Sequence, residues 1–239
     1  MIKTVLSFLY VAVTMIFLIP FGIIILLLYF LGLRKPMRRI LGLIEQAWAL
    51  SVIKISGCKI TVAGRENIPK KGGICFVSNH CGYFDIALLL AYCGRSIGFI
   101  AKKELAFVPF LNVWIFMVGG LFIDRSSPRK AIITMNKGAQ RIKSGGSIII
   151  FPEGHRSRGR GLLPFHAGSL KLATMAEAPV VPVAIEGSYD VFEKTLRVVS
   201  APVKIAFCEP IDTAALPPSD KKQILSDRIY SVIKEKLEN

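Results

Sequence analysis

Past residue 57 the chain alternates between two patterns. Short, β-branched apolar runs bounded by Gly, Pro and charged residues fall at 58–62, 73–77, 96–101, 119–125, 147–151, 180–185 and 203–207. Such runs read as strands. Between them lie helical stretches. One covers 86–92 and is ended by Gly94. Another starts at Ser127-Pro128, serine at the N-cap and proline at the first helical position, and runs to Gly145-Gly146 with Ile132, Met135, Ala139 and Ile142 on one face. A third covers 168–176. A last one opens at Pro217-Pro218-Ser219, with Ile224, Leu225, Ile229, Val232, Ile233 and Leu237 on its apolar side. The alternation predicts an α/β sandwich with a mixed central sheet flanked by helices.

The first 56 residues differ. No charge occurs from Thr4 to Leu33, Lys3 precedes that run, and Arg34, Lys35, Arg38 and Arg39 follow it. The run exceeds what the roughly 30 Å bilayer core requires of a helix, so it predicts an uncleaved hydrophobic helical membrane anchor, spanning or re-entrant, bent at Pro20-Phe21-Gly22. A secretory signal is the competing reading, but the apolar region is too long and lacks a small-x-small cleavage site. The basic cluster after the run puts the remainder on the cytoplasmic face of the membrane. From 38 to 55, Ile40, Leu43, Ile44, Ala47, Trp48 and Ile55 make one helical face and Glu45 and Gln46 lie off it, which predicts an amphipathic interfacial helix; a core helix of the following domain fits the same spacing. The expected division is therefore an anchor over residues 1–56 and an α/β domain over 57–239. An apolar segment at 106–118, broken at Pro109 and carrying Trp114, reads as a buried helix or a second membrane contact.

Charge narrows the partners. The 239 residues carry a formal net charge of +15, and 30 of the 31 Lys and Arg and all 16 acidic residues lie after residue 33. That excess calls for an anionic partner, and with an anchor present the partner is membrane phospholipid. No basic–aromatic interleaving or recognition motif supports nucleic acid. The five cysteines, Cys58, Cys75, Cys81, Cys93 and Cys208, form no C-x-x-C pair and read as reduced thiols. The three histidines, His80, His155 and His166, stand at no metal-ligand spacing, so no metal is expected. There is no P-loop and no G-x-S-x-G elbow.

Two strand ends carry chemistry. Ser78-Asn79-His80-Cys81-Gly82-Tyr83-Phe84-Asp85 lies between an apolar run and a helix. A turn at Cys81-Gly82 would fold His80 back onto Asp85, making an aspartate-oriented general base for a hydroxyl supplied by the substrate. The plain alternative is a capping pair, with Asp85 as N-cap of its helix. The second end is Pro152 to Arg160. Between Arg125 and Arg160 there are nine Lys and Arg and one acidic residue, Glu153, and several of these cations sit in loops after strands. Gly154 offers backbone N–H groups and Arg156 a bidentate fork for phosphate, Arg125 can reach the same anion, and Glu153 is placed to hold Arg156 or Arg125. A structural salt-bridge cluster is the plain alternative here.

Four motifs now stand in order: Asn79-His80-x4-Asp85, Phe122-Ile123-Asp124-Arg125, Phe151-Pro152-Glu153-Gly154-His155-Arg156-Ser157 and Val181-Pro182-Val183. The chain resembles the glycerolipid acyltransferase family over roughly residues 35–215. The resemblance implies a two-substrate acyl transfer with no cofactor, in which His80 deprotonates the sn-2 hydroxyl of lysophosphatidic acid (1-acyl-glycerol-3-phosphate), Asp85 orients His80, and acyl carrier protein (acyl-ACP) or coenzyme A (acyl-CoA) supplies the thioester. It also implies that Arg125, Glu153, Gly154 and Arg156 surround the acceptor phosphate, that Lys102 or Lys103 joins them, and that Pro182 belongs to the acyl-donor region. The family's third motif commonly has a small hydroxyl residue where this chain has His155. The rivals are acylation of glycerol-3-phosphate or another lysophospholipid, a non-catalytic basic lipid-binding protein, and a metal hydrolase built on His80 and Asp85.

Overall fold

A computed structural model of the chain describes residues 1–216 and 221–238. Its centre is a seven-stranded sheet: β1 (Lys59–Ala63), β2 (Ile74–Ser78), β3 (Ile97–Lys102), β4 (Leu121–Ile123), β5 (Ser147–Ile150), β6 (Val180–Glu186) and β7 (Pro202–Phe207). Their spatial order is β1-β7-β6-β2-β5-β3-β4. Every pairing is parallel except β6 with β7, where Val183 faces Phe207 and Glu186 faces Lys204. The sheet is mixed, as expected. β2 and β5 are buried at every position, which is why they read as unbroken apolar runs rather than as alternating ones.

Alternation along the strands feeds two cores. Phe76, Ile149, Val183 and Ile185 pack on one face with Leu88 and Leu89 of α4 (Phe84–Tyr92) and with Ala49 and Ile53 of α3 (Arg34–Ser56). Cys75, Val77, Ile148 and Ile150 turn to the other, against α6 (Pro128–Lys143), α7 (Lys171–Ala176) and α8 (Lys221–Glu238). Leu225, Ile229 and Ile233 of the expected face of the last helix are fully buried, but Ile224 of that face is exposed, and the expected opening at 217–219 lies outside the described residues. Ser127 caps α6 by accepting from the Lys130 backbone N–H. Of the stretch expected to be helical from 168, the first part is a 3-10 turn and α7 begins only at Lys171.

α1 (Ile2–Phe17) and α2 (Ile19–Phe30) meet at a 41° bend, and no single helix among the described residues is long and apolar enough to cross a membrane. α1 runs antiparallel to α3. Lys3 Nζ donates to the Ser56 carbonyl at 2.6 Å, Tyr10 to Ser51 at 2.7 Å, and the Trp48 indole to Thr14 at 3.0 Å.

α3 buries against the domain a different line from the apolar face read in the sequence. Its inward line is Met37, Leu41, Glu45, Ala49 and Ile53, four residues apart, while Leu43 and Ile40 of the expected face are exposed. Both lines have helical spacing, and contact with α4 and the sheet selects between them. Glu45, placed among polar positions by the periodicity, is buried; its carboxyl accepts from Ser96 Oγ at 2.8 Å and from the Ile97 N–H at 3.2 Å. Burial pushes it up to about 8, against the pull of those bonds. Its proton is kept in the folded chain and lost in the unfolded one between the ordinary carboxylate range and about pH 8, so stability falls as pH rises through that window, by about 1.4 kcal/mol per unit. Glu45→Gln is expected to remove this slope. Urea midpoints of both proteins in detergent, at pH 5 and pH 8, check it, and parallel changes in the two would count against a protonated Glu45.

Candidate functional site

The C-terminal ends of β2, β4, β5 and β6 bring four loops together. β2 ends at Ser78, the turn 79–83 follows, and α4 begins at Phe84 with Tyr83, not Asp85, as its N-cap. Asp85 is fully buried, and its Oδ2 accepts from the backbone N–H of Cys81 at 2.7 Å and of Gly82 at 3.0 Å and lies 2.7 Å from His80 Nδ1. The same carboxylate thus closes the turn and holds the imidazole, without being the N-cap of α4. With Nδ1 committed to Asp85, the lone pair of the neutral ring is on Nε2. The His80 side chain is 18% exposed and stacks on Phe151 at a centroid distance of 4.0 Å.

Partners from distant parts of the chain complete this pair. Ser188, in the loop after β6, donates its hydroxyl to Asp85 Oδ1. Asn79 ties β2 to β6 by exchanging two bonds of 2.8 Å with the backbone of Ile185. A Cβ at Gly82 would displace the Glu193 carboxylate, 2.4 Å away, and press on the Tyr189 backbone at 3.2 Å, so glycine lets the 188–193 segment close on the turn with Glu193 in place. Cys81 is disfavoured as a thiolate. Burial first, then the charges of Asp85 and Glu153, push its thiol up to about 12.

Glu153 departs from its expected role. It is buried and holds neither Arg156 nor Arg125; Oε1 accepts from the His80 backbone N–H at 2.7 Å and Oε2 from that of Leu163 at 3.3 Å. Burial raises its carboxyl to about 7, opposed by those two bonds. Gly154, at φ +76°, adopts the left-handed turn that lets Glu153 point inward while the chain reverses. Its N–H is already given to the Phe151 carbonyl at 3.1 Å, so it does not supply the free donor expected of it. Ser157 N–H donates to the His80 carbonyl at 2.7 Å and Arg158 N–H to that of Cys81 at 3.3 Å, fastening this loop to the histidine turn.

Arg156 reaches the site. Its guanidinium pairs with Glu193 at 2.5 Å and lies over the Tyr83 ring at 3.7 Å, while Glu193 also accepts from the Tyr83 N–H at 2.6 Å. Arg125 is exposed and donates to the Gly154 carbonyl, which brings both arginines to one loop. Lys102 ends β3 and is exposed. Lys103 is engaged elsewhere, at 3.0 Å from Asp124, whose carboxyl is drawn down to about 2 by hydrogen bonds from Ser126 and then Lys103. Pro182 is buried inside β6 beside Val77, where the ladder to β7 stops, and its carbonyl accepts from Cys208 N–H at 2.9 Å; it is a sheet residue, not one of the site loops. His155 is exposed. Ser188 and Glu193 were not foreseen; the one available signal was their position in the loop after a strand that ends at the site. Among the described residues no cluster of His, Cys, Asp and Glu has metal-binding geometry.

The sequence is 33% identical over 142 residues to the 1-acyl-sn-glycerol-3-phosphate acyltransferase of Borreliella burgdorferi, covering 59% of this chain and 57% of that protein. It is 35% identical over 153 residues to the protein of that name from Saccharomyces cerevisiae, covering 60% and 50%. The chain therefore spans about half the length of these curated relatives. The crystal structure of the 1-acyl-sn-glycerophosphate (LPA) acyltransferase PlsC from Thermotoga maritima superposes with a TM-score of 0.79 at 27% identity, over 99% of this chain and 95% of that one. The acyltransferase family profile matches residues 59–186, from β1 to the end of β6 and across all the loops that hold His80, Asp85, Arg125, Glu153 and Arg156, and the chain belongs to that family.

Proposed function

We propose that the chain transfers an acyl group from acyl-ACP or acyl-CoA to the sn-2 hydroxyl of 1-acyl-glycerol-3-phosphate, giving phosphatidic acid. The observation that carries this reading is the buried Asp85 holding Nδ1 of a partly exposed His80, next to a loop that presents Arg125 and Arg156. Nε2 takes the hydroxyl proton as the oxygen attacks the thioester carbonyl. Asp85 stabilises the imidazolium so formed. When the tetrahedral adduct collapses, the thiolate leaves with that proton and the ester remains, so His80 returns to its starting state and no cofactor is consumed. Arg156, held between Glu193 and Tyr83, binds the acceptor phosphate with Arg125 beside it; Lys102 is a further cation at the same end of the sheet. Pro182 acts on the donor side only through the path of β6.

The acceptor is a membrane lipid, and the same reading seats the chain on the cytoplasmic leaflet through α1, α2 and the loop before α5 (Leu111–Met117). Phe30 is 81% and Phe107 84% exposed, and the Trp114 indole donates to the Met15 carbonyl at 3.1 Å, joining α5 to α1 in one apolar surface.

The test is acyl transfer by the purified chain with both thioesters and a panel of lysophosphatidate, lysophosphatidylcholine and glycerol-3-phosphate, with products read by mass. Lysophosphatidate is expected to be the preferred acceptor. Arg156→Ala is expected to raise its half-saturation roughly ten- to hundredfold with little change for the donor. Equal effects on both substrates would remove Arg156 from the phosphate site.

A further inference from the structure

At the opposite end of the sheet from His80 a cavity of about 440 Å³ opens between α2, α3, α5 and α6. Its wall is divided. Ile25, Tyr29 and Phe30 of α2 with Phe116 and Met117 of α5 make the apolar part, and Arg34, Arg38, Lys137 and Arg141 supply four cations. Gly119-Gly120 and Ser144 also line it, and these precede β4 and β5, whereas Arg125 and Glu153 follow the same strands. The cavity is therefore separate from the proposed acceptor phosphate site.

The two inner arginines are only partly satisfied. Arg38 donates through Nη1 to the Ser144 carbonyl at 2.5 Å and through Nη2 to Ser144 Oγ at 2.8 Å, and Arg141 donates through Nη2 to the Val118 carbonyl at 2.7 Å. These bonds cap the ends of α6 and α5. Capping leaves the Nε–H of both residues buried and without a partner. None of the four cations has a carboxylate within ion-pair distance among the described residues. Arg141 is held down to about 10, by burial first and then by Arg38, with the Glu45 carboxyl opposing both. The chain makes room for this crowding: at Gly119, φ +72°, the Arg141 guanidinium fills the place of a side chain, 1.6 Å from where a Cβ would stand. Arg34 and Lys137 are exposed and Arg38 and Arg141 half-buried, and like charges held this close repel, so an anion bridging the inner pair is favoured.

We propose that this cavity binds one anionic phospholipid of the bilayer, its phosphate between Arg38 and Arg141 and an acyl chain along Tyr29, Ile25 and Phe116. The occupant is a lipid rather than a free anion because half the wall is apolar and joins the exposed apolar side chains of α2 and α5. Bound there, it fixes α2 against α6 and sets the chain on anionic membranes.

Native mass spectrometry of the delipidated full chain, offered equal phosphatidylglycerol and phosphatidylcholine of the same acyl composition, tests the assignment. One phosphatidylglycerol is expected to be retained with a preference of about tenfold. Arg38→Gln with Arg141→Gln is expected to abolish the preference. Should that pair unfold, Arg34→Ala with Lys137→Ala, which removes two cations that cap no helix, is expected to reduce it severalfold at unchanged melting temperature. Arg156→Ala is expected to leave it intact. Absence of a preference in the wild type, a preference that survives the substitutions, or displacement of the lipid by inorganic phosphate would each overturn the proposal. Loss on Arg156→Ala would place the lipid in the acceptor site and overturn it equally, whatever the outcome of the acyl-transfer assay.

Discussion

His80→Ala is expected to lower the turnover of acyl transfer by about a thousandfold while the chain remains folded. An alcohol is a weak nucleophile at neutral pH, and the imidazole that Asp85 holds by Nδ1, at 2.7 Å, belongs to a side chain that is 18% exposed. The fold survives because the structural work of the turn is done elsewhere. Asp85 still accepts from Cys81 and Gly82, Ser188 still donates to Asp85, and the His80 backbone N–H still reaches Glu153. Turnover measured at saturating acceptor, with circular dichroism to verify folding, decides the matter, and near-normal turnover would sink the proposed mechanism.

Glu153→Ala is expected to cost about 3 kcal/mol of stability and roughly a hundredfold in turnover. Two causes add. The buried N–H groups of His80 and Leu163 lose their acceptor, and the backbone that carries the base is released, so the imidazole no longer sits where Asp85 and Phe151 hold it. Glu153→Gln keeps one carbonyl oxygen for the His80 N–H and is expected to lose far less of both. Had Glu153 clamped Arg156 or Arg125, as its position in the motif suggested, the loss would fall on acceptor half-saturation instead. Denaturation midpoints together with separate turnover and half-saturation values distinguish the two roles, and an effect confined to half-saturation would refute the backbone role.

These two residues show why the site was partly legible in the sequence. His80 and Asp85 are five apart, and a strand, a two-residue turn and a helix start are local events that apolar runs and turn residues announce. Their contact followed from that geometry. Glu153 was visible as the lone acid in a basic loop, yet its target lies 73 residues away in sequence, and nothing in the loop distinguishes a carboxylate that binds guanidinium from one that binds backbone N–H. The same holds for Gly154, whose N–H is spent within its own turn, and for Lys103, whose partner Asp124 comes from the next strand.

α3 makes the point at the level of an element. Its helical spacing was plain, but the helix has more than one apolar line, and only the surface it meets chooses among them. Meeting α4, it buried the line that contains Glu45 and left Leu43 in the open.

Period and turn chemistry, which depend on neighbours a few residues apart, thus sufficed for the succession of strands and helices, the sandwich, and the turn that can bring His80 back to Asp85. Which partners Asp85, Glu153 and Arg156 take, which side of α3 faces inward, and the gathering of Arg38 with Arg141 emerged when the chain closed on itself. Ser188 meets Asp85 across 103 residues, and Arg38 meets Ser144 across 106. Contacts at that separation are set by how layers pack, and layer packing leaves no period in the sequence to read.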